Sequence, residues 1–390
     1  VAEIIGPEGV RQRNLARILR LVHLEGPVSR AALTDATALN RSTIGDLVAE
    51  LVTAGLVVEG APDPQRRVGR PSPNVAADPR VMAIAVNPEV DALELAAVGL
   101  DRRIPVRHRI EVDHLLTPAE TVALVAEQLD QWREGALAEA RLAGLGVAVP
   151  GLVRQSDGLI RHAPHLRWTD VALRAPLQDA TGLPTIVGND ASFGAHAEHL
   201  FGAARGVDDV VYLNGGASGI GGGLVVHGIP VTGSGGYAGE FGQNRPGIAA
   251  ASDRRAGGSG VLEDEVSRAR LLAALQLRSA DDPTLAATLH QSQSVDVMEE
   301  MARQRRILST ALANAVNVLN PSVVVLGGFL AMLAEHDAED FAEAVREQSM
   351  PANAEDLEIR SAALAEDRLL IGAAESAFAE LLSDPASFAS

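Results

Sequence analysis

The stretch SGIGGGLVVHGIPVTGSGGYAGEFG, Ser218 to Gly242, decides how the rest of the chain is read. Glycines crowd an apolar run that would otherwise be an ordinary strand, and they recur through a turn that ends on Glu240. Glycine permits close backbone approach, so the pattern points to a small molecule or a phosphate held beside a sheet. Tight hairpins use the same residues, and a glycine cluster alone does not choose between the two.

The surroundings favour a ligand. Apolar runs such as VMAIAVN, ALELAAVGL, LAGLGVAV, PTIVGN, VVYLNGG and SVVVLGG alternate with helical patterns near 117–141, 190–204, 295–319 and 338–350. More than 300 residues of this alternation predict an α/β fold of two lobes with a cleft between them. Within it, PTIVGNDASFGAHAEHLFGAARG is a short strand that delivers Asn189 and Asp190 to the first turn of a helix. An Asp there either caps the helix or aims a carboxylate at a ligand. Two loops punctuated by Gly and Pro, VAVPGLV at 147–153 and RHAPHLRW at 161–168, follow other apolar runs.

Composition bounds the rest. The 390 residues are 47% hydrophobic and 22% charged, enough for two or three domains with real cores, and no apolar run is long enough for a membrane span. With no signal-peptide pattern in VAEIIGPEGVRQRN, a cytoplasmic location is expected. The absence of cysteine excludes disulfides, thiol catalysis and thiolate metal sites. The pairs His162/His165 and His196/His199 invite a metal reading, but spacing supplies no third ligand and no metal is expected.

A net charge of −18 argues against a nucleic-acid partner, yet the charge is unevenly spread. Val1 to Ser72 carries nine Arg and eight acidic residues, net +1, leaving −19 for the remainder. This front segment predicts three helices: VRQRNLARILRLVHLEG, SRAALTDATAL with Ser29 as N-cap, and NRSTIGDLVAELVTAGLV with Asn40 as N-cap. The last two form a helix-turn-helix, and the third helix presents Arg41, Ser42, Thr43 and Asp46 where a recognition helix meets base edges. LVVEGAPDPQRRVGRPSPNVAAD reads as a wing with Arg66, Arg67 and Arg70 at its tip, and Pro71 and Pro73 open a linker. A small helical cap with a solvated Arg loop is the alternative.

Taken together, GRPS, VAVPGLV, ANAVNVLNPSVVVLGG and above all the opening stretch resemble the ROK family, which groups sugar-responsive transcriptional repressors with sugar kinases. The resemblance implies an α/β chain with an N-terminal winged helix-turn-helix over 1–72, a linker over 73–80, and an actin-like (ribonuclease H-like) two-lobed ATPase-type fold over 81–390, split near 190, with the C-terminal segment returning to the first lobe. It implies double-stranded operator DNA, a sugar effector and a homo-dimer or tetramer. The helical run VDVMEEMARQRRILSTALANAVNVLN is a candidate dimer surface, unless its apolar face is core.

Family kinases carry a DxGGT phosphate loop on the first strand of this fold, whereas AIAVNPEVDALELAAVGL has neither the Asp, the paired glycines nor the Thr. The resemblance therefore implies a repressor without kinase activity, with a sugar kinase bearing an appended DNA-binding domain, or a ligand-independent regulator, as alternatives. By the same resemblance Asp190 sits at the kinases' general-base position, here for binding only, with Asn189, Glu240 and Glu263 beside it. His165 stands where the family usually has Asn. Most members also hold a structural zinc in this region, through GExGH and CxCGxxGCxE. Here Gln243 replaces the histidine, and Arg254, Ala256 and Val261 replace the cysteines, so no zinc cofactor is expected. Without it, Asn244 to Gly260 is expected to be mobile, while Gln243 can still hydrogen-bond a hydroxyl.

Overall fold

Two sheets of the same strand order organise the chain. The computed structural model describes residues 7–61, 72–216, 219–255 and 259–389. The chain divides into a first unit, Val1–Ala148 with Val171–Val187 and Ala373–Ser390, and a second, Val149–Asp170 with Gly188–Gly372.

The second unit is built on a five-stranded sheet in the order Ile229–Pro230, Ile220–Val226, Val210–Gly215, Val323–Gly328, Glu358–Ser361. Val210–Gly215 is central, antiparallel to Ile220–Val226 on one side and parallel to Val323–Gly328 on the other. The sheet of the first unit runs Val106–Glu111, Ala92–Gly99, Val81–Pro88, Arg141–Val149, Thr185–Asn189. Counted along the chain, both sheets read third, second, first, fourth, fifth strand, with an antiparallel meander on one side and a parallel neighbour on the other.

The glycines of the opening stretch have a steric explanation. Successive strand residues face opposite sides of a sheet. A Cβ on Gly221 would lie 2.6 Å from the Ala191 Cβ, and one on Gly223 would lie 2.4 Å from the Ala195 Cβ, both on the helix Asp190–Phe201. On the other face, a Cβ on Gly222 would meet the Phe241 ring at 2.5 Å and the Gly239 carbonyl at 2.7 Å. Three bare positions thus let two elements close on one strand from both faces.

The long helix Val295–Leu319 buries Val297, Met301, Ile307, Leu308, Leu312 and Val316 in the main core of this unit. Its apolar face is therefore core and not a dimer surface; Val318, by contrast, is 80% exposed.

In the first unit, the helices Pro7–Glu25, Arg30–Thr37 and Arg41–Thr53 enclose Leu19, Leu33, Ile44 and Leu47. Ser29 accepts from the Ala32 amide and Asn40 from the Thr43 amide, so both expected N-caps are made. The expected linker needs correction. Asn74–Ala77 is a strand, paired antiparallel with Val28–Ser29 and with Val57–Gly60. Pro73 precedes this strand and costs it no ladder donor. Buried polar ties fix these helices further: His23 Nδ1 lies 2.7 Å from the Leu100 carbonyl and His23 Nε2 lies 2.9 Å from Glu375. Arg141 donates to the carbonyls of Ala54, Gly55 and Phe388. The N-terminal helices are thus integrated into the first unit and not hung from it by a tether.

Gly223→Ala should lower stability by about 1–3 kcal/mol through overpacking against Ala195, whereas Gly60→Ala, with open space around it, should change it by less than about 0.5 kcal/mol. Paired urea denaturation curves check this, and equal midpoints would refute the steric account.

Candidate functional site

The strand Thr185–Asn189 ends where the helix Asp190–Phe201 begins, and Asn189 makes that junction rigid. Its Oδ1 accepts from the Ser192 amide at 2.8 Å, and its Nδ2 donates to the Gly151 carbonyl at 3.0 Å and to Asp190 Oδ1 at 3.2 Å. The Ala191 amide donates to the same Asp190 oxygen at 2.7 Å. The two possible roles of an Asp at this point therefore divide: Asn189 caps the helix, and the Asp190 carboxylate is oriented by its own first turn.

Glu240 follows Gly239, which has a φ of +99° and is the residue pressed against Gly222. Glu263 lies on the one-turn helix Leu262–Glu265. Its carboxylate accepts from Gln243 Nε2 at 2.5 Å and from the Ile220 amide at 3.4 Å. A Cβ on Gly219 would come within 2.7 Å of that carboxylate, so the glycines make room for the acid as well.

These residues share one cavity of about 410 Å³. His165, Asn189, Asp190, Glu240, Gln243 and Glu263 all line it, together with Gly151, His162, Asn214 and the glycines 216, 219 and 221. Among the described residues that line it, none is Arg or Lys. A larger cavity of about 570 Å³ shares Glu240 but is walled mainly by Leu224, Phe241, Ala311, Val318 and Leu319, and it gathers no second carboxylate. The sequence reading does not single out Asn214, and it names His162 only in a metal pair. Asn214 ends a strand just before the glycine turn, and that position was a usable signal.

The acids also act on one another. Glu240 is exposed at the mouth of the cavity, yet the surrounding protein strips part of its hydration and Glu263 adds like charge. Its carboxyl is therefore held above the ordinary value of 4.5.

Elsewhere the expected contacts divide. Arg41, Ser42 and Asp46 are exposed on the first turns of Arg41–Thr53, and Thr43 is half-buried. Arg66, Arg67 and Arg70 lie outside the described residues. Among the described residues, no helix is long and apolar enough to cross a membrane.

A family model described as the ROK family matches residues 84–379. The chain belongs to the ROK family. It is 24% identical over 407 aligned residues to a xylose repressor of Caldicellulosiruptor bescii, covering 96% of this chain and 98% of that one. It is 25% identical to the DNA-binding transcriptional repressor Mlc of Escherichia coli, over 94% and 93% of the two chains. A glucokinase of Halalkalibacterium halodurans is 29% identical, but over only 64% of this chain. Among solved structures, a ROK family transcriptional regulator homologous to the E. coli Mlc protein aligns over 96% of this chain and 97% of its own, with a TM-score of 0.76 and 24% identity. A ROK family glucokinase from Streptomyces griseus aligns over 76% of this chain and 98% of its own, with a TM-score of 0.60 and 22% identity.

The ROK zinc pattern does not fit the residues present. Gln243 is engaged with Glu263, the Arg254 side chain donates to the Ile248 carbonyl at 3.1 Å, and Val261 is a buried apolar residue. Ala256 lies outside the described residues. Among the described residues, no three His, Asp or Glu side chains converge to hold a metal.

The raised pKa of Glu240 sets a pH signature. The folded chain keeps this proton longer than the unfolded one. The stability tied to the protonated form is therefore complete below about pH 4.5 and is lost as pH rises through the folded value. Glu240→Gln, locked in the neutral state, should show a flatter melting profile between pH 4.5 and about 7. Parallel profiles for the two proteins would remove burial and Glu263 as causes.

Proposed function

We propose that the chain is a cytoplasmic, sugar-responsive transcriptional repressor that binds operator DNA as a homo-dimer or tetramer and lacks kinase activity. The observation that carries the sensor half is the convergence of Asp190, Glu240 and Glu263 on one cavity with no cation in its lining. Carboxylates accept from hydroxyl donors, so several around a small cleft match a polyol stripped of water. The same charge repels a phosphate. The effector is accordingly a neutral sugar and not a sugar phosphate, contacted by Asp190, Glu240, Glu263 and Gln243, with His165 at the rim and Asn189 orienting Asp190.

The N-terminal elements support the DNA half. Three helices and a three-stranded antiparallel sheet have the order of a winged helix-turn-helix, with Arg41–Thr53 as recognition helix. Arg66, Arg67 and Arg70, outside the described residues, would add cationic contacts to DNA in this reading. The near full-length likeness to repressors, against the partial likeness to glucokinases, agrees with it.

Kinase activity is opposed by charge at the place where the family's phosphate loop would lie. The hairpin after Val81–Pro88 carries Glu89, Asp91 and Glu94 around Arg109, at 3.4, 3.1 and 3.3 Å. Glu89 is held above the ordinary carboxyl range, first by burial and then by Glu94. Phosphoryl transfer depends on positioning and neutralising phosphate oxygens, and a carboxylate cluster does the reverse.

A thermal-shift panel of neutral pentoses, hexoses and their phosphates tests the whole reading. A neutral sugar at about 100 times its Kd should add about 2.7 kcal/mol of stability, the phosphates should add none, and Asp190→Ala should weaken binding by about tenfold or more. Sugar-dependent ATP turnover, or an unchanged response in Asp190→Ala, would overturn it.

A further inference from the structure

The segment between Gln243 and Glu263 separates two lining residues of the cavity and covers the place where most ROK members keep zinc. It has neither the imidazole nor the thiolates of the zinc pattern, yet its described residues are hydrogen-bonded to the rest of the unit. A 3-10 turn, Ala251–Asp253, buries the Asp253 side chain, and the Leu262 amide donates to the Asn244 carbonyl at 2.8 Å. Within Asn244 to Gly260, where mobility is expected from composition, the described residues thus have specific hydrogen-bond partners.

The grip comes from the helix Val295–Leu319. Arg303, only 1% exposed, donates through Nε to the Asp253 carbonyl at 2.7 Å and through Nη1 to the Glu265 carbonyl at 2.9 Å. Its Nη2 meets the buried Glu265 carboxylate. One turn on, Arg306 holds Asp253 bidentately at 2.9 and 2.7 Å, which keeps that carboxyl below the usual range. Gln304 completes the set by exchanging hydrogen bonds with the amide and carbonyl of Ser267.

We propose that Arg303 does the work of the missing zinc: it is a positioning residue that ties the two arms of the loop, at Asp253 and at Glu265, and thereby sets the Glu263 carboxylate in the ligand cavity.

The chemistry requires arginine. Three directional bonds leave one planar fork toward two chain segments twelve residues apart, whereas a lysine ammonium offers a point charge without that geometry. Glu265 and Glu263 occupy the same helical turn, so a backbone fixed at Glu265 leaves Glu263 little freedom. The turn is closed by the Val266 amide on the Leu262 carbonyl at 2.7 Å, and the Leu262 side chain is fully buried. A buried ion pair of this kind adds little net stability against an apolar substitute, but it specifies one arrangement. That is also the part a structural metal plays.

The ligand arm of the test rests on the sugar-site reading; the other arm does not. In the full-length apo protein, Arg303→Lys should speed hydrogen–deuterium exchange of peptides covering 244–255 and 259–267 by about tenfold or more. Peptides from the strands Val210–Gly215 and Val323–Gly328 should keep wild-type protection. EDTA should leave the wild-type pattern unchanged. Unaltered exchange in the loop, or loop protection that EDTA abolishes, would overturn the proposal. In calorimetric titrations with D-xylose and D-glucose, Arg303→Lys should weaken whichever sugar binds by about tenfold, and it should add nothing to the loss caused by Glu263→Gln. Affinity within twofold of wild type, or full additivity with Glu263→Gln, counts against positioning through Glu263. If neither sugar binds the wild-type protein, the exchange arm alone decides. Should Arg303→Lys not fold, Glu265→Gln, which keeps the shape but removes the charge that Arg303 Nη2 meets, puts the same question to peptide 259–267, and unchanged exchange there refutes the clasp.

Discussion

The site depends on a strand that has given up its side chains. Ile220–Val226 brings Gly221, Gly222 and Gly223 beside the central strand of a five-stranded sheet, where Cβ atoms would normally hold the elements above and below it off. Their absence lets Ala191 and Ala195 sit against one face and Gly239 and Phe241 against the other. Asp190 precedes Ala191, and Glu240 lies between Gly239 and Phe241, so both carboxylates are placed by contacts of their immediate neighbours. Glycine in a strand costs backbone entropy and packing. Here that cost is offset by an unbroken six-pair register with Val210–Gly215 and by close packing on both faces.

How much of this was legible in the sequence follows from the range of each interaction. Asn189 and Asp190 at a strand-to-helix junction, the caps at Ser29 and Asn40, and the helix over 295–319 are local patterns and could be read along the chain. The linker was misread, and the contacts of the described residues in 244–260 were not legible, because their partners are distant in sequence. Asn74–Ala77 becomes a strand through partners at 28–29 and 57–60. Asp253 is ordered by Arg306, 53 residues away. Nothing in MEEMARQRRIL reveals that Arg303 and Arg305 are buried while Arg306 beside them is exposed. Composition suggested a loop with nothing to pack, but the loop is held by polar bonds to backbone carbonyls, which composition does not record.

Electrostatics divides the chain in the same manner. The strongly acidic part downstream of residue 72 contributes repulsion to any nucleic-acid encounter, so DNA affinity must come from the arginines of the N-terminal segment. Within the sensor, acid is used differently. Among the described residues lining the cavity there is no arginine, and Glu263 accepts there from Gln243, while Asp253 and Glu265 are each paired with an arginine of the helix Val295–Leu319.

Control of DNA binding by such a cavity has a thermodynamic condition. A ligand alters DNA affinity only to the extent that it discriminates between two states of the protein. The N-terminal helices are hydrogen-bonded to the rest of the first unit through His23 and Arg141. Two of the points where the chain passes from one unit to the other, Ala148 to Val149 and Val187 to Gly188, lie within three residues of Gly151, Asn189 and Asp190. The hydrogen bond from Asn189 Nδ2 to the Gly151 carbonyl joins those two passages inside the cavity wall.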